Sequence, residues 1–326
     1  TIDGPPINQG PHAKEAPVGI HHYQPEVYFP SLATREPVLE VADGDSIATS
    51  TLDAHGKDGS ENTVAEGPNP MTGPFAVTGA DPGDTLVVTF DRLTPNRDSG
   101  WSAPVLAPNV VDPESIPAAP SREPGLYARW RIDNSASSVT LLEAAGSALG
   151  GLTLPLEPMV GCFGVAPPRG QAISTQTSGS FGGNMDYRGF AAGVTVYLPV
   201  YAPGGLFYIG DGHARQGDGE ISGTGIETSF DVQFTLQLWK GEAPNWPRGE
   251  NKHYIFAVGN SRPLDQAARH ATTEMLRWLE GEYGFDPVGA RIFLGQVDEY
   301  DVANFYNPAY SVACKVPKQY LPLKEE

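Results

Sequence analysis

Cysteine is nearly absent from this sequence: Cys162 and Cys314 are the two cysteines in 326 residues. Two thiols exclude a disulfide framework, and with no C-x-x-C pair there is no cysteine-based zinc or dithiol motif. A reduced, cytoplasmic setting is the expectation that follows. Charge is scarce as well, at 18% of residues, where about a quarter is usual. What charge there is leans one way, with 39 acidic side chains against 21 basic and a net charge of −18. Such a surface repels phosphate backbones and anionic lipid, which argues against nucleic acid and membrane surfaces as partners. No run approaches the ~18 apolar residues of a membrane span. No signal-peptide pattern is read after Thr1. A G-x-S-x-G nucleophile elbow is also missing.

Glycine and proline, by contrast, are abundant, 38 and 31 residues scattered without a period. Many short strands joined by many turns suit that composition better than long helices, so a mostly-β fold with a few helices is expected. Residues 1–35, rich in Pro, Gly and His, read as an extended N-terminal arm, and 36–326 as a single mostly-β domain. Glu36–Val41, the turn at 42–45 and Ser46–Thr51 read as a hairpin, and a similar unit follows at Phe75–Val77, the turn at 80–84 and Thr85–Phe90. Residues 94–124 read as a loop-rich insertion. Further strands are expected over 139–142, 152–156, 194–200, 206–209 and 230–236. A helical segment is expected near 261–281, capped by Asn260 or Ser261 and stopped by Gly281. A shorter helix is expected after Asp286-Pro287, and 305–321 reads as strand plus loop.

The chemistry concentrates in Gly210-Asp211-Gly212-His213-Ala214-Arg215-Gln216-Gly217-Asp218-Gly219-Glu220. In extended backbone, residues two apart share a face, so Asp211 pairs with His213 and Asp218 with Glu220. Imidazole with carboxylates suits zinc or another divalent ion. An acidic Gly-rich turn, with or without a structural calcium, is the plainer alternative. Asp53 and His55, again two apart, offer a second set of ligands or a polar strand end. In Gly182-Gly183-Asn184-Met185-Asp186 the glycines permit close backbone approach, and Asn184 offers a donor and an acceptor to an amide. Glu227 reads equally as a supporting anchor or a plain strand carboxylate. Cys162, among apolar neighbours, reads as an inert core residue.

These stretches resemble the acetamidase/formamidase family. The resemblance rests on 37–53, on Gly73-Pro74 through Asp84, on Gly182–Asp186 and above all on Tyr197–Val200 running into G-D-x-H, Q-G-D-G-E and G-x-x-x-E, ending at Glu227. It implies a β-sandwich or barrel-like fold and hydrolysis of a short aliphatic amide or a γ-lactam. It implies a divalent ion too, zinc first, with calcium at a second site as the other option. It places Asp53, Asn184, Asp186, Asp211, His213, Asp218, Glu220 and Glu227 in the site. The expected roles are ion binding by Asp53, Asp211, His213 and Asp218, and general base–acid catalysis by Glu220 with Asn184 orienting the amide. Gly182, Gly183, Asp186 and Glu227 are expected at the substrate, the glycine N–H groups holding the oxyanion. A homo-oligomer is expected as well. The rival reading is a non-catalytic, metal-stabilised β-rich protein that binds a sugar or small ligand.

Overall fold

The computed structural model describes residues 19–115, 126–144 and 146–322. The first half of the expected arm, 1–18, lies outside them. Its second half is built into the sheets: Ile20–His22 pairs in parallel with Ser46–Ser50, and Ser31–Leu32 pairs with Ile173–Ser174.

Among the described residues the strands form two large sheets, of nine and eleven strands, and one two-stranded pair. The nine-stranded sheet is centred on the long strands Thr85–Pro95 and Phe230–Trp239, and it ends on Tyr254–Ser261, Tyr310–Pro317 and Glu299–Asn304. The eleven-stranded sheet is centred on Phe207–His213, flanked by Met159–Val165 and Glu227–Thr228. The two pack face to face as a sandwich. Phe234 of the first sheet meets Phe75 and Phe207 of the second with ring centroids 5.4 and 5.2 Å apart, and Phe90 meets Phe163 at 5.0 Å.

Phe230–Trp239 alternates apolar-in and polar-out, whereas the run Leu86-Val87-Val88 is apolar on both sides. Leu86 and Val88 enter the sandwich core, while Val87 points to the opposite face of the sheet. Helix α1 (Leu264–Glu282) covers that opposite face with Ala271, Met275, Trp278 and Leu279, and α2 (Pro287–Val297) adds Ala290 and Leu294. Both faces of this sheet are therefore buried where the helices lie, around Val87, Ile255 and Cys314.

Several boundaries differ from expectation. Neither turn closes a hairpin. Leu39–Val41 pairs in parallel with Thr72–Val77 in the eleven-stranded sheet, while Ser46–Ser50 joins Phe230–Trp239 in the other. The turn at 80–84 likewise leads from Thr72–Val77 in one sheet to Thr85–Pro95 in the other. The repeated A-D-x-G-D pattern serves crossing between sheets. Asp45 accepts from Ala42 N at 3.2 Å and Asp84 from Asp81 N at 2.8 Å, so each turn closes on its own carboxylate. Within the expected loop region 94–124, Ser99–Ser102 is a strand paired with Ala128–Asp133; 116–125 lies outside the described residues. Ser261 ends a strand rather than capping α1, which starts after Pro263. That helix runs past Gly281, and Gly284, at φ 70°, follows its end. Asp286 caps α2 as expected, accepting from Val288 N and Gly289 N.

Candidate active site

Four carboxylates and one imidazole converge beside the central strand of the eleven-stranded sheet. Asp211 and His213 come from that strand itself, facing the same side as their spacing requires. Glu227 stands directly opposite His213 on the neighbouring strand, so the two side chains form a cross-strand pair. Asp186 follows the strand Gly182–Asn184, and its N–H and that of Met185 both donate to the Gly161 carbonyl at 3.0 Å. Glu220 closes the turn Asp218–Glu220. All five are buried, none more than 5% exposed.

Two triads share the imidazole: Asp186, His213 and Glu220, and Asp211, His213 and Glu227. The atoms they offer lie within 4.8 Å of one another in each. His213 Nε2 is 2.9 Å from Glu227 Oε1 and 3.5 Å from Asp211 Oδ1, yet it makes no hydrogen bond. Asp186 Oδ1 and Glu227 Oε2 are buried without a partner too. Among the described residues no Lys or Arg pairs with any of the four carboxylates. Burying that much negative charge is costly without a compensating cation. In its absence burial forces protons on. Asp186 is pushed up to about 8 by burial and by Asp211. Burial raises Glu227 to about 7, and Asp211 adds to it. Glu220 is raised well above its ordinary range by burial and by Asp186. Burial alone would lower His213, but Glu227 and Asp211 more than reverse it.

The donor set fits a divalent cation. Each triad holds an unpartnered carboxylate atom, Asp186 Oδ1 in one and Glu227 Oε2 in the other, and the unpartnered His213 Nε2 belongs to both. Backbone is kept out of the way, since a Cβ at Gly161 would lie 2.3 Å from Asp186 Oδ1 and 2.8 Å from Asp211 Oδ2. The surroundings orient the donors as ligand shells do. Gln216 Oε1 faces His213 Nδ1 at 2.8 Å. Asn307 Nδ2 donates to Asp186 Oδ2 at 2.6 Å, and Asn304 Nδ2 donates to Asp186 Oδ2 at 3.1 Å and to Glu220.

A cavity of about 140 Å³ opens on this cluster, lined by Asp211, Glu220, Glu227, Asn184, Asn69 and the aromatic rings beyond them. That is room for a ligand of a few heavy atoms, given ~30 Å³ per liquid water. Asn69 Nδ2 donates to both Asn184 Oδ1 and Asp211 Oδ2 at 3.1 Å. Asn184 thus lines the cavity with its amide oxygen already engaged.

Of the residues singled out in the sequence, Asp211, His213, Asp186, Glu220 and Glu227 meet in the cluster, with Asn184 beside it. Asp218 does not. It lies at the surface, ion-paired with Arg188 at 2.6 Å. The face-sharing rule holds for extended chain, whereas here Gly219 and Glu220 take φ of 83° and 43°, turning Glu220 inward and leaving Asp218 out. Asp53 is buried but engaged elsewhere, accepting from Arg97 Nη2 at 2.6 Å, Trp101 Nε1 at 3.1 Å, and the N–H groups of His55 and Lys57 at 3.0 and 2.9 Å. Gly182 and Gly183 lie between two strands and outside the cavity lining. A Cβ on Gly183 would meet Thr177 O at 2.4 Å, so close strand packing is what requires glycine there. Cys162 is a fully buried core thiol whose pKa burial raises well above its ordinary value, which leaves it unreactive. Asn69, Gln216, Asn304, Asn307 and Gly161 were not anticipated. The Q-G-D-G-E motif and the polar pair in Asn304-Phe305-Tyr306-Asn307 were the available signals.

A β-sandwich with a buried carboxylate–histidine cluster at the end of a small cavity is the class these features define. Residues 165–274 match the Acetamidase/Formamidase family. The structure of an acetamidase from Yersinia enterocolitica superposes with a TM-score of 0.80 at 29% identity, covering 94% of each chain. That of an acetamidase from Bacillus halodurans gives 0.76 at 26%, covering 92% of this chain and 98% of the other. A Schizosaccharomyces pombe protein whose name as a formamidase is itself provisional is 28% identical over 63% of this chain. The chain spans 59% of that relative's length. The chain is thus similar to the acetamidase/formamidase family in sequence over 165–274 and in fold over nearly its whole length.

Proposed function

We propose that the protein is a divalent-metal-dependent amidohydrolase that cleaves the C–N bond of a small aliphatic or cyclic amide. The observation that carries this is a pair of buried carboxylate triads sharing His213, with Asp186 Oδ1, His213 Nε2 and Glu227 Oε2 left unpartnered among them, beside a cavity sized for a few heavy atoms. The match of residues 165–274 to the family and the acetamidase names of the structural relatives support the reaction class. Asp211, His213 and Glu227 would hold the ion at the cavity, with Asp186 behind them. When bound, a divalent ion such as zinc supplies Lewis-acid polarisation of the amide carbonyl and of water. Asn184 donates its amide N–H to the carbonyl oxygen, where negative charge develops. Glu220, at the boundary of cluster and cavity, takes a proton from the attacking water and delivers it to the leaving nitrogen as the C–N bond breaks. The products are a carboxylate and ammonia, or the amino acid when the amide is a ring.

Glu220→Gln tests the assignment. Turnover should fall by about 10²-fold or more, while ion content stays at the wild-type level. Loss of the ion along with activity would make Glu220 a ligand, and full activity would remove it from the mechanism.

A further inference from the structure

Three aromatic side chains stand between the small inner cavity and a larger outer one. The outer space, about 560 Å³, is lined by Lys57, Glu61, Arg97 and Arg129 among others, and shares with the inner cavity His55, Trp101 and Tyr127. The three rings form one packed layer. His55 stacks on Trp101 with centroids 3.9 Å apart and planes at 7°. Tyr127 meets both edge-on, at 4.8 Å from Trp101 and 5.3 Å from His55.

The layer is held in place by Asp53. Its carboxylate binds Trp101 Nε1 and the backbone N–H of His55 together, and Arg97, itself 5% exposed, neutralises it. A fully buried carboxylate with four donors fixes geometry rather than adding much stability. Register ties this layer to the chemistry. Trp101 lies directly opposite Glu227, which lies opposite His213, so one row of side chains runs across three strands from the ring layer to the imidazole. The rings come from three separate segments, around residues 55, 101 and 127, and their position is therefore a product of the fold.

We infer that the His55–Trp101–Tyr127 layer, anchored by Asp53, is the element that limits substrate size, admitting amides with no more than a few carbons beyond the carbonyl and rejecting longer acyl chains. This rests on the amidase reading above. Asp53 holds Trp101 by its ring N–H and His55 by its backbone N–H, whereas Tyr127 has no bond to it, so removing either the Tyr127 or the His55 side chain opens the layer without breaking the anchor.

The test is the ratio of kcat/KM for hexanamide to kcat/KM for formamide in wild type, Tyr127→Ala, His55→Ala and Tyr127→Phe. A ratio from one preparation is insensitive to the fraction of folded protein. The expected result is a rise of about tenfold or more in both alanine variants, the scale of steric discrimination in an apolar pocket, with Tyr127→Phe near wild type. An unchanged ratio in both alanine variants overturns the inference. Should the wild type turn over no amide, the amidase reading fails, and affinities for the same two amides, read by ligand-observed NMR, decide the inference instead. A rise in the relative affinity for hexanamide in the alanine variants upholds the size limit, and no change overturns it.

Discussion

Gln216 Oε1 lies 2.8 Å from His213 Nδ1, while Gln216 Nε2 donates to the backbone carbonyls of Asp186 at 2.5 Å and Ala303 at 3.5 Å. Because the amide nitrogen is occupied by two acceptors, the amide oxygen must face the imidazole. Nδ1 therefore carries a proton, and Nε2 is the nitrogen turned toward the carboxylate cluster. On the proposed metal-binding reading, Gln216 orients the imidazole as a ligand from behind it.

Gln216→Leu should lower divalent-ion affinity by about 10- to 100-fold, the usual effect of removing a partner behind a ligating histidine. Competition with a chelator of known affinity measures it. A second readout is the His213 tautomer in zinc-loaded protein by ¹⁵N NMR, which should lose its fixed Nδ1–H form. Unchanged affinity would mean that Gln216 only fills space.

The sandwich itself depends on contacts between sheets. Phe234 is fully buried and meets rings from the facing sheet on two sides. Phe234→Ala should destabilise the protein by ~3–5 kcal/mol, measured by denaturant unfolding. A cost below 1 kcal/mol would show that the sheets close over the loss.

Asp45 predicts an acid-side stability term. Its carboxyl is held below the usual aspartate range first by the hydrogen bond from His21, at 2.7 Å, and then by the N–H groups of Gly19 and Ala42. A depressed folded-state pKa contributes stability that is present above the unfolded value and lost as pH falls through the folded one. Asp45→Asn should therefore lower Tm at neutral pH, and the gap to wild type should close below about pH 4. A gap that persists at low pH would assign the effect to packing.

Much of the site was legible because its residues fall in one short motif. Asp211 and His213 share a strand face, so their spacing alone predicts their convergence. The same spacing misled for Asp218 and Glu220, since two consecutive left-handed φ values replace extended chain by a turn. Asp53 was placed near the site correctly in chain terms and wrongly in role, because its partners Arg97 and Trp101 come from a segment that reads as loop. Asn304 and Asn307 reach the cluster only through the pairing of Glu299–Asn304 with Tyr310–Pro317, more than 80 residues downstream of the motif. The crossed turns show the same limit: local sequence specified the turns at 42–45 and 80–84, while the partner of each strand was chosen by the shared core.

The account stands or falls on chemistry at the cluster. The most direct test measures ammonia or ring-opened product from formamide, acetamide, propionamide and a γ-lactam, before and after chelation and after zinc is restored. Turnover of at least one amide that chelation abolishes and zinc returns is the predicted result. Metal-replete protein that turns over none of them would contradict it and leave a small-ligand-binding protein as the better reading of the same pocket.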